Sequence, residues 1–266
     1  MKTTSRLFAC ALLSATALCA TTLCHAQSPF DGTWRIDMSK TKFSPKPFTF
    51  YVSQGWYHCD SCSPVITIPA DGQDHAVTGV SYDTLSVDAS DPHSIKSVAK
   101  KGGKVISEQT RTVSANGKTL TVKSTSYPMN SDKPVTAQST AKLVGIAPAG
   151  VHATSGNWQI LNAATSENDQ LFTFKTTGDQ ITMTDPTGDT YTAKFDGADY
   201  PVKGAYGYDA VSLKKINDHT IEETDKRAGK VIDVATSTVS ADGKSMTIVD
   251  TDKVTDRTST YTAKKQ

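Results

Sequence analysis

The chain has 266 residues, with 28 Lys and Arg set against 27 Asp and Glu for a formal charge of +1. A balance this even argues against a nucleic-acid or anionic-membrane partner, which would need a clustered basic surface. The length suits two domains of ordinary size.

In chain order, Met1 to Ala26 read as a secretory signal peptide. Lys2 and Arg6 form its basic start, Leu7 to Ala20 its apolar stretch, and Cys24-His25-Ala26 a small-x-small cleavage site before Gln27. Leu18 before Cys19 and Leu23 before Cys24 argue against a lipid-anchored cysteine, and Thr16, Thr21 and Thr22 interrupt the stretch too early for a membrane anchor. The reading places the mature protein in the periplasm or outside the cell, with no membrane insertion after cleavage. Losing Lys2 and Arg6 leaves it a formal charge of −1. Cys10, Cys19 and Cys24 leave with the signal, so the mature chain keeps Cys59 and Cys62 alone.

From Gln27 onward the sequence is written twice. Gly103-Lys104-Val105-Ile106 and Thr112-Val113-Ser114-Ala115-Asn116-Gly117-Lys118 return 126 residues later as Gly229-Lys230-Val231-Ile232 and Thr238-Val239-Ser240-Ala241-Asp242-Gly243-Lys244. Tyr82-Asp83-Thr84-Leu85 likewise returns as Tyr208-Asp209-Ala210-Val211, and Gly32-Thr33-Trp34 as Gly156-Asn157-Trp158. A unit of roughly 115 residues is too long for a solenoid repeat and right for a small domain. Two domains are expected, 28–145 and 154–266, joined by a linker over 146–153.

Each copy alternates apolar and polar residues in short runs rich in Thr, Val, Ile and Tyr, as in Lys118-Thr119-Leu120-Thr121-Val122 and Asp189 to Phe195. Asn116-Gly117 and Asp242-Gly243 are read as primed hairpin turns, and Arg227-Ala228-Gly229 as another turn. No helical period extends over a dozen residues after Ala26. The expected fold class is therefore all-β, two tandem antiparallel meander barrels or curved sheets. Closure is favoured because it removes exposed strand edges.

Gly32-x-Trp34 and Gly156-x-Trp158 are similar to the G-x-W motif that opens the lipocalin barrel. The chain also resembles uncharacterised secreted bacterial lipocalin-like proteins through three further segments. They are Lys42-Phe43-Ser44-Pro45, Asp196-Gly197-Ala198-Asp199-Tyr200-Pro201-Val202-Lys203-Gly204, and Val239-Ser240-Ala241-Asp242-Gly243-Lys244-Ser245-Met246-Thr247-Ile248. The resemblance implies a lipocalin-like barrel and export, with Trp34 and Trp158 buried at equivalent places, and it implies no activity.

Cys59-Asp60-Ser61-Cys62 aligns with Thr184-Asp185-Pro186-Thr187 at a hairpin turn. The ends of a β-turn lie within about 7 Å, and a disulfide spans roughly 4.4–6.8 Å between Cα atoms. The pair is expected to clamp a hairpin tip. A redox role would call for a thiolate at a helix N-terminus. A metal role would have Cys59, Cys62 and His58 as only three ligands. His93 and His219 hold equivalent turn positions, and Glu222-Glu223 point to opposite faces of a strand. No nucleophile elbow, zinc-protease or phosphate-loop pattern occurs. Catalytic residues, metal ligands and cofactors are accordingly not expected. The aromatic residues Trp56, Tyr57, Tyr200, Tyr206 and Tyr208 are the candidate ligand contacts, since Tyr and Trp join an apolar body to a polar handle. Three functions stay open: a non-catalytic exported module binding a small apolar or amphipathic ligand, a structural or interaction protein of the cell envelope with filled barrels, or a thiol-redox or metal-handling protein.

Overall fold

The computed structural model describes residues 28–147 and 149–266. The signal segment, with its three cysteines, and Pro148 of the linker lie outside the described residues. The first copy supplies ten strands: β1 (Gly32–Ile36), β2 (Phe48–Ser53), β3 (Trp56–Cys59), β4 (Ile66–Pro69), β5 (His75–Ala76), β6 (Thr84–Asp91), β7 (Ser94–Lys101), β8 (Lys104–Val113), β9 (Thr119–Ser126) and β10 (Val135–Leu143). The second supplies ten more: β11 (Gly156–Thr165), β12 (Leu171–Thr177), β13 (Gln180–Thr184), β14 (Thr190–Lys194), β15 (Tyr200–Pro201), β16 (Ala210–Asn217), β17 (Thr220–Arg227), β18 (Lys230–Val239), β19 (Ser245–Asp252) and β20 (Arg257–Lys265). The fold is all-β, two nearly closed antiparallel barrels of ten strands each.

The barrels do not follow the copies. One sheet runs β4-β3-β2-β11-β10-β9-β8-β7-β6-β5 and the other β14-β13-β12-β1-β20-β19-β18-β17-β16-β15. Each copy therefore surrenders its first strand to the other. The expected division at 145/154 marks the sequence repeat, whereas strand pairing divides the chain differently. The first barrel is continuous from β2 to β11, and the second takes β12 to β20 together with β1. The reason lies in the connections. β11 follows β10 closely and folds back against it, with Ala141 opposite Ile160 and Leu143 opposite Trp158. That occupies the slot in the first barrel, and β1 fills the matching slot between β12 and β20, with Trp34 opposite both Phe172 and Lys265. The Lys42-Phe43-Ser44-Pro45 segment lies in the crossing from one barrel to the other, held where Lys42 bridges Thr260 and where the Ser44 amide donates to Ser259 Oγ at 3.3 Å.

The two Gly-x-Trp strands are built alike. Trp34 and Trp158 are buried, and each indole donates to a carbonyl four residues upstream, Phe30 O at 2.7 Å and Thr154 O at 2.9 Å. Gly156 has φ +149°, and a Cβ there would stand 2.6 Å from Leu143 Cδ1, so the motif needs its glycine. Near the seams the two copies use the same device. Asp196 bridges Lys214 and accepts from the Tyr200 hydroxyl at 2.8 Å, while Asp71 bridges Asp88 and meets His75 Nε2 at 2.9 Å. The Asp-Gly-x-Asp segments are thus clasps that draw the sheet edges together.

The turns differ in one respect from the sequence reading. Asn116 and Asp242 keep negative φ, and only Gly117 and Gly243 are left-handed, at +70° and +69°. Each forms the last corner of a turn that begins at Ser114 or Ser240, the wider hairpin that ends on a left-handed glycine. The two-residue turns with both φ positive are Gln54-Gly55, Gly102-Gly103 and Ala228-Gly229.

Truncating either tryptophan should damage the barrel built mainly from the other copy. Trp34→Ala is expected to cost about 3–5 kcal/mol and to raise amide exchange in β12 and β20 while β2 and β10 keep their protection. Hydrogen exchange read by mass spectrometry decides this, and loss confined to β2 and β10 would disprove the exchange of strands.

Candidate functional site

Strand alternation sends every second residue of β6 to β10 into the first barrel. Two inward rows follow from the register, Val87-Ser97-Gln109-Ser124-Ala137 and Leu85-Ala99-Ser107-Ser126-Val135, and deeper lies Ile95-Arg111-Val122. From these rows Leu85, Val87, Ser97, Ala99, Ser107, Gln109 and Arg111 line a chamber of about 300 Å³, whose wall also includes Tyr57, Cys62, Ile66 and Tyr82. At its inner end the Arg111 guanidinium lies 5.0 Å from the centre of the Phe50 ring. Among the described residues no carboxylate forms an ion pair with Arg111. Burial pushes the Tyr82 phenol above its ordinary range, while Arg111 works against that rise.

A second space of about 360 Å³ shares Ile106 and Ser107 with the chamber. Its far wall comes from the other barrel, through Asp169, Thr187, Asp189 and Tyr206. Asn130 Nδ2 donates to Gly188 O at 3.3 Å across this junction. A Cβ at Gly204 would stand 2.3 Å from the same carbonyl, so only glycine allows so close an approach. The Asp189 carboxyl, half-buried and beside Asp185, is raised to about 6.

The equivalent rows of the second barrel are acidic. Glu223-Ala235-Asp250 stands where the first barrel has Ser97-Gln109-Ser124, and Asp225-Asp233-Asp252 where it has Ala99-Ser107-Ser126. Tyr191 donates to Glu223 Oε2 at 2.6 Å. Burial, then the neighbouring Glu223, lifts Asp225 to about 9; burial and Asp250 lift Asp233 to about 8. Burial also raises the carboxyl of Glu223 and the phenols of Tyr191 and Tyr208. At neutral pH Asp225 and Asp233 therefore keep their protons, and the barrel avoids burying a block of like charge.

The five aromatic candidates do not assemble into one site. Tyr57 is buried in the first chamber, and Tyr206 packs on that barrel's core from the other copy. Tyr208 lies near Asp225 and Glu223, Tyr200 binds Asp196 near a seam, and Trp56 is 47% exposed. Cys59 and Cys62 form a disulfide across the β3–β4 turn, with Cα atoms 5.3 Å apart. In the second copy the same turn is held by Asp185, whose carboxylate accepts from the Thr187 hydroxyl and the Thr187 and Asp189 amides. His58 faces away from the sulfurs, stacked on Tyr51 and bonded to Thr67 Oγ1. Among the described residues no three His, Cys, Asp or Glu side chains group as a metal site, and no helix is long and apolar enough to cross a membrane.

Arg111 and the acidic rows escape a reading by motif. The available signal was parity: Arg111 shares a face with buried Val113, as Glu223 and Asp225 do with buried Ile221.

No family model matches the chain, and no curated protein matches it. The likeness to lipocalin-like proteins rests on the motifs quoted above.

Replacing Cys59 by Thr and Cys62 by Ser is expected to lower the melting temperature of the first barrel by only a few degrees, because so short a loop restricts the unfolded chain little. Differential scanning calorimetry measures this, and a large drop would show that the bridge carries the barrel.

The acidic rows give a pH dependence of definite sign. Asp225 and Asp233 lie far above the ordinary 3.8, so the stability they contribute is complete below about pH 4 and drains away as pH rises towards 8 or 9. The second barrel should melt several degrees lower at pH 8 than at pH 5, and Asp225→Asn with Asp233→Asn should flatten the slope. Carboxyls held below 3.8, such as Asp37 and Asp71, are ionised in both states across this window and leave the sign unchanged. A melting temperature that rose from pH 5 to pH 8 would contradict this account.

Proposed function

We propose that the protein is an exported, non-catalytic binding protein that holds a small apolar or amphipathic molecule within its first barrel. The observation that supports this most directly is the chamber of about 300 Å³ inside that barrel, the lower end of the size range of small-ligand sites. Its wall combines apolar side chains, among them Ile66, Leu85, Val87 and Ile106, with a few polar groups that can orient a guest. The signal-like start of the sequence and the disulfide fit an oxidising compartment such as the periplasm.

A filled structural barrel is the second reading, and it suits the other half of the molecule better. There the Tyr191–Glu223 bond and the proton-holding carboxyls occupy the interior that a ligand would need. The two readings combine naturally, with one barrel as container and the other as its support and cover. A redox role has less support, because Cys59 is buried and joined to Cys62.

Native mass spectrometry of protein purified from its own cell envelope should reveal a small-molecule adduct released on unfolding. Ala99 lines the chamber, and Ala99→Phe should abolish the adduct and weaken binding of the fluorescent probe N-phenyl-1-naphthylamine by about tenfold or more, roughly 1.4 kcal/mol. Absence of any adduct together with equal probe binding by both proteins would defeat the proposal.

A further inference from the structure

Resting on the binding reading above, we propose that the first barrel selects a monocarboxylate with an apolar tail, its carboxylate seated on Arg111. The argument begins with the cost of this arginine. Its side chain is turned inward at the chamber's inner end, between Ile95 and Val122 across the sheet. Arg111 is only partly exposed, and a guanidinium drawn part-way out of water without an anion carries a cost that the Phe50 ring face, 5.0 Å away, offsets only in part. Among the described residues no acidic side chain pairs with it. Its planar fork of donors matches the two oxygens of a carboxylate.

The other copy shows that the fold does not demand a cation here. Ile95 faces Arg111 as Ile221 faces Ser237, so the second barrel closes around a serine at the equivalent place. The two interiors have diverged in opposite senses, one carrying an unpaired cation and the other a set of carboxyls. Beyond the chamber, Asp169 and Asp189 border the outer space, where a second negative charge on the guest would be repelled. The site therefore favours one carboxylate over two.

Isothermal titration calorimetry at pH 7.5 with 3-phenylpropionate, 3-phenylpropan-1-ol and phenylsuccinate tests the assignment. The monocarboxylate should bind at least about tenfold tighter than the alcohol, the size expected of one charge-assisted pair, and tighter than the dicarboxylate. Arg111→Met should erase the preference for the acid, weakening acid binding far more than alcohol binding. Arg111→Lys, which keeps charge and loses the fork, should fall between. A melting curve of each variant shows that the barrel is intact; if Arg111→Met unfolds, Arg111→Lys carries the comparison. Acid and alcohol bound alike, or a preference that survives loss of Arg111, would overturn the carboxylate assignment and leave the chamber reading standing. Binding of phenylsuccinate as tight as the monoacid would overturn the single-charge selection. No binding of any of the three, with no effect of Ala99→Phe on N-phenyl-1-naphthylamine, would bring down the chamber reading itself.

Discussion

The pairing of β1 between β12 and β20 is the constraint on which the rest of the molecule depends. It places the indole of Trp34, with Phe30, in a core otherwise made of residues 174 to 263, and joins the Gln266 amide to Thr33 O at 2.9 Å. Without it the second barrel would be open along two strand edges, each a row of unpaired backbone groups. The same exchange removes the linker as an independent hinge. Two chain crossings, at 37–47 and 166–170, tie the barrels together, and the junction of Asn130 with Gly188 and Gly204 closes the gap between them.

Within that frame the interiors are free to differ, because a barrel is specified by its outer pairing and its floor. The floors are conservative: Trp34 and Trp158, with Met246 and Leu120 across from Ala263 and Ala141. The rows above them are where the copies part. Serines and Gln109 line the chamber of the first barrel, whereas the same level of the second carries Glu223, Asp225 and Asp233, with Tyr191 bonded to Glu223 and the raised carboxyls keeping their protons. Duplication therefore supplies one scaffold twice and leaves the two interiors free to take opposite chemistry.

Much of the fold was legible from the residues. Alternation in Lys118 to Val122, the left-handed glycines at turns and the repeated Gly-x-Trp gave strands, hairpins and two equivalent buried tryptophans. The exchange of β1 and β11 was not legible, and for a physical reason: both copies carry the same motif, so each strand fits either slot and local pattern cannot choose. Asn116-Gly117 misled because that dipeptide serves two turn types, and the position of Ser114 decides between them. Within the candidate site, Tyr57 and Cys62 were visible as an aromatic and a cysteine near a turn. Arg111 and Asp225 were not, because a charged residue in an alternating strand reads as solvated unless its face is counted from a buried neighbour.

The pairing of β1 with β20 also sets an order in time. Synthesis runs from the N-terminal side, so the first barrel has all its strands once residue 165 has emerged, before β12 to β20 follow. The strand at 32–36 precedes every other described strand and must wait for β20, the last of them. Its first partner, β12, follows only from residue 171, and its second edge stays unpaired until β20 is made. The interval is longer for β1 than for any other strand, and during it the only comparable slot on offer is the one that β11 is destined to fill.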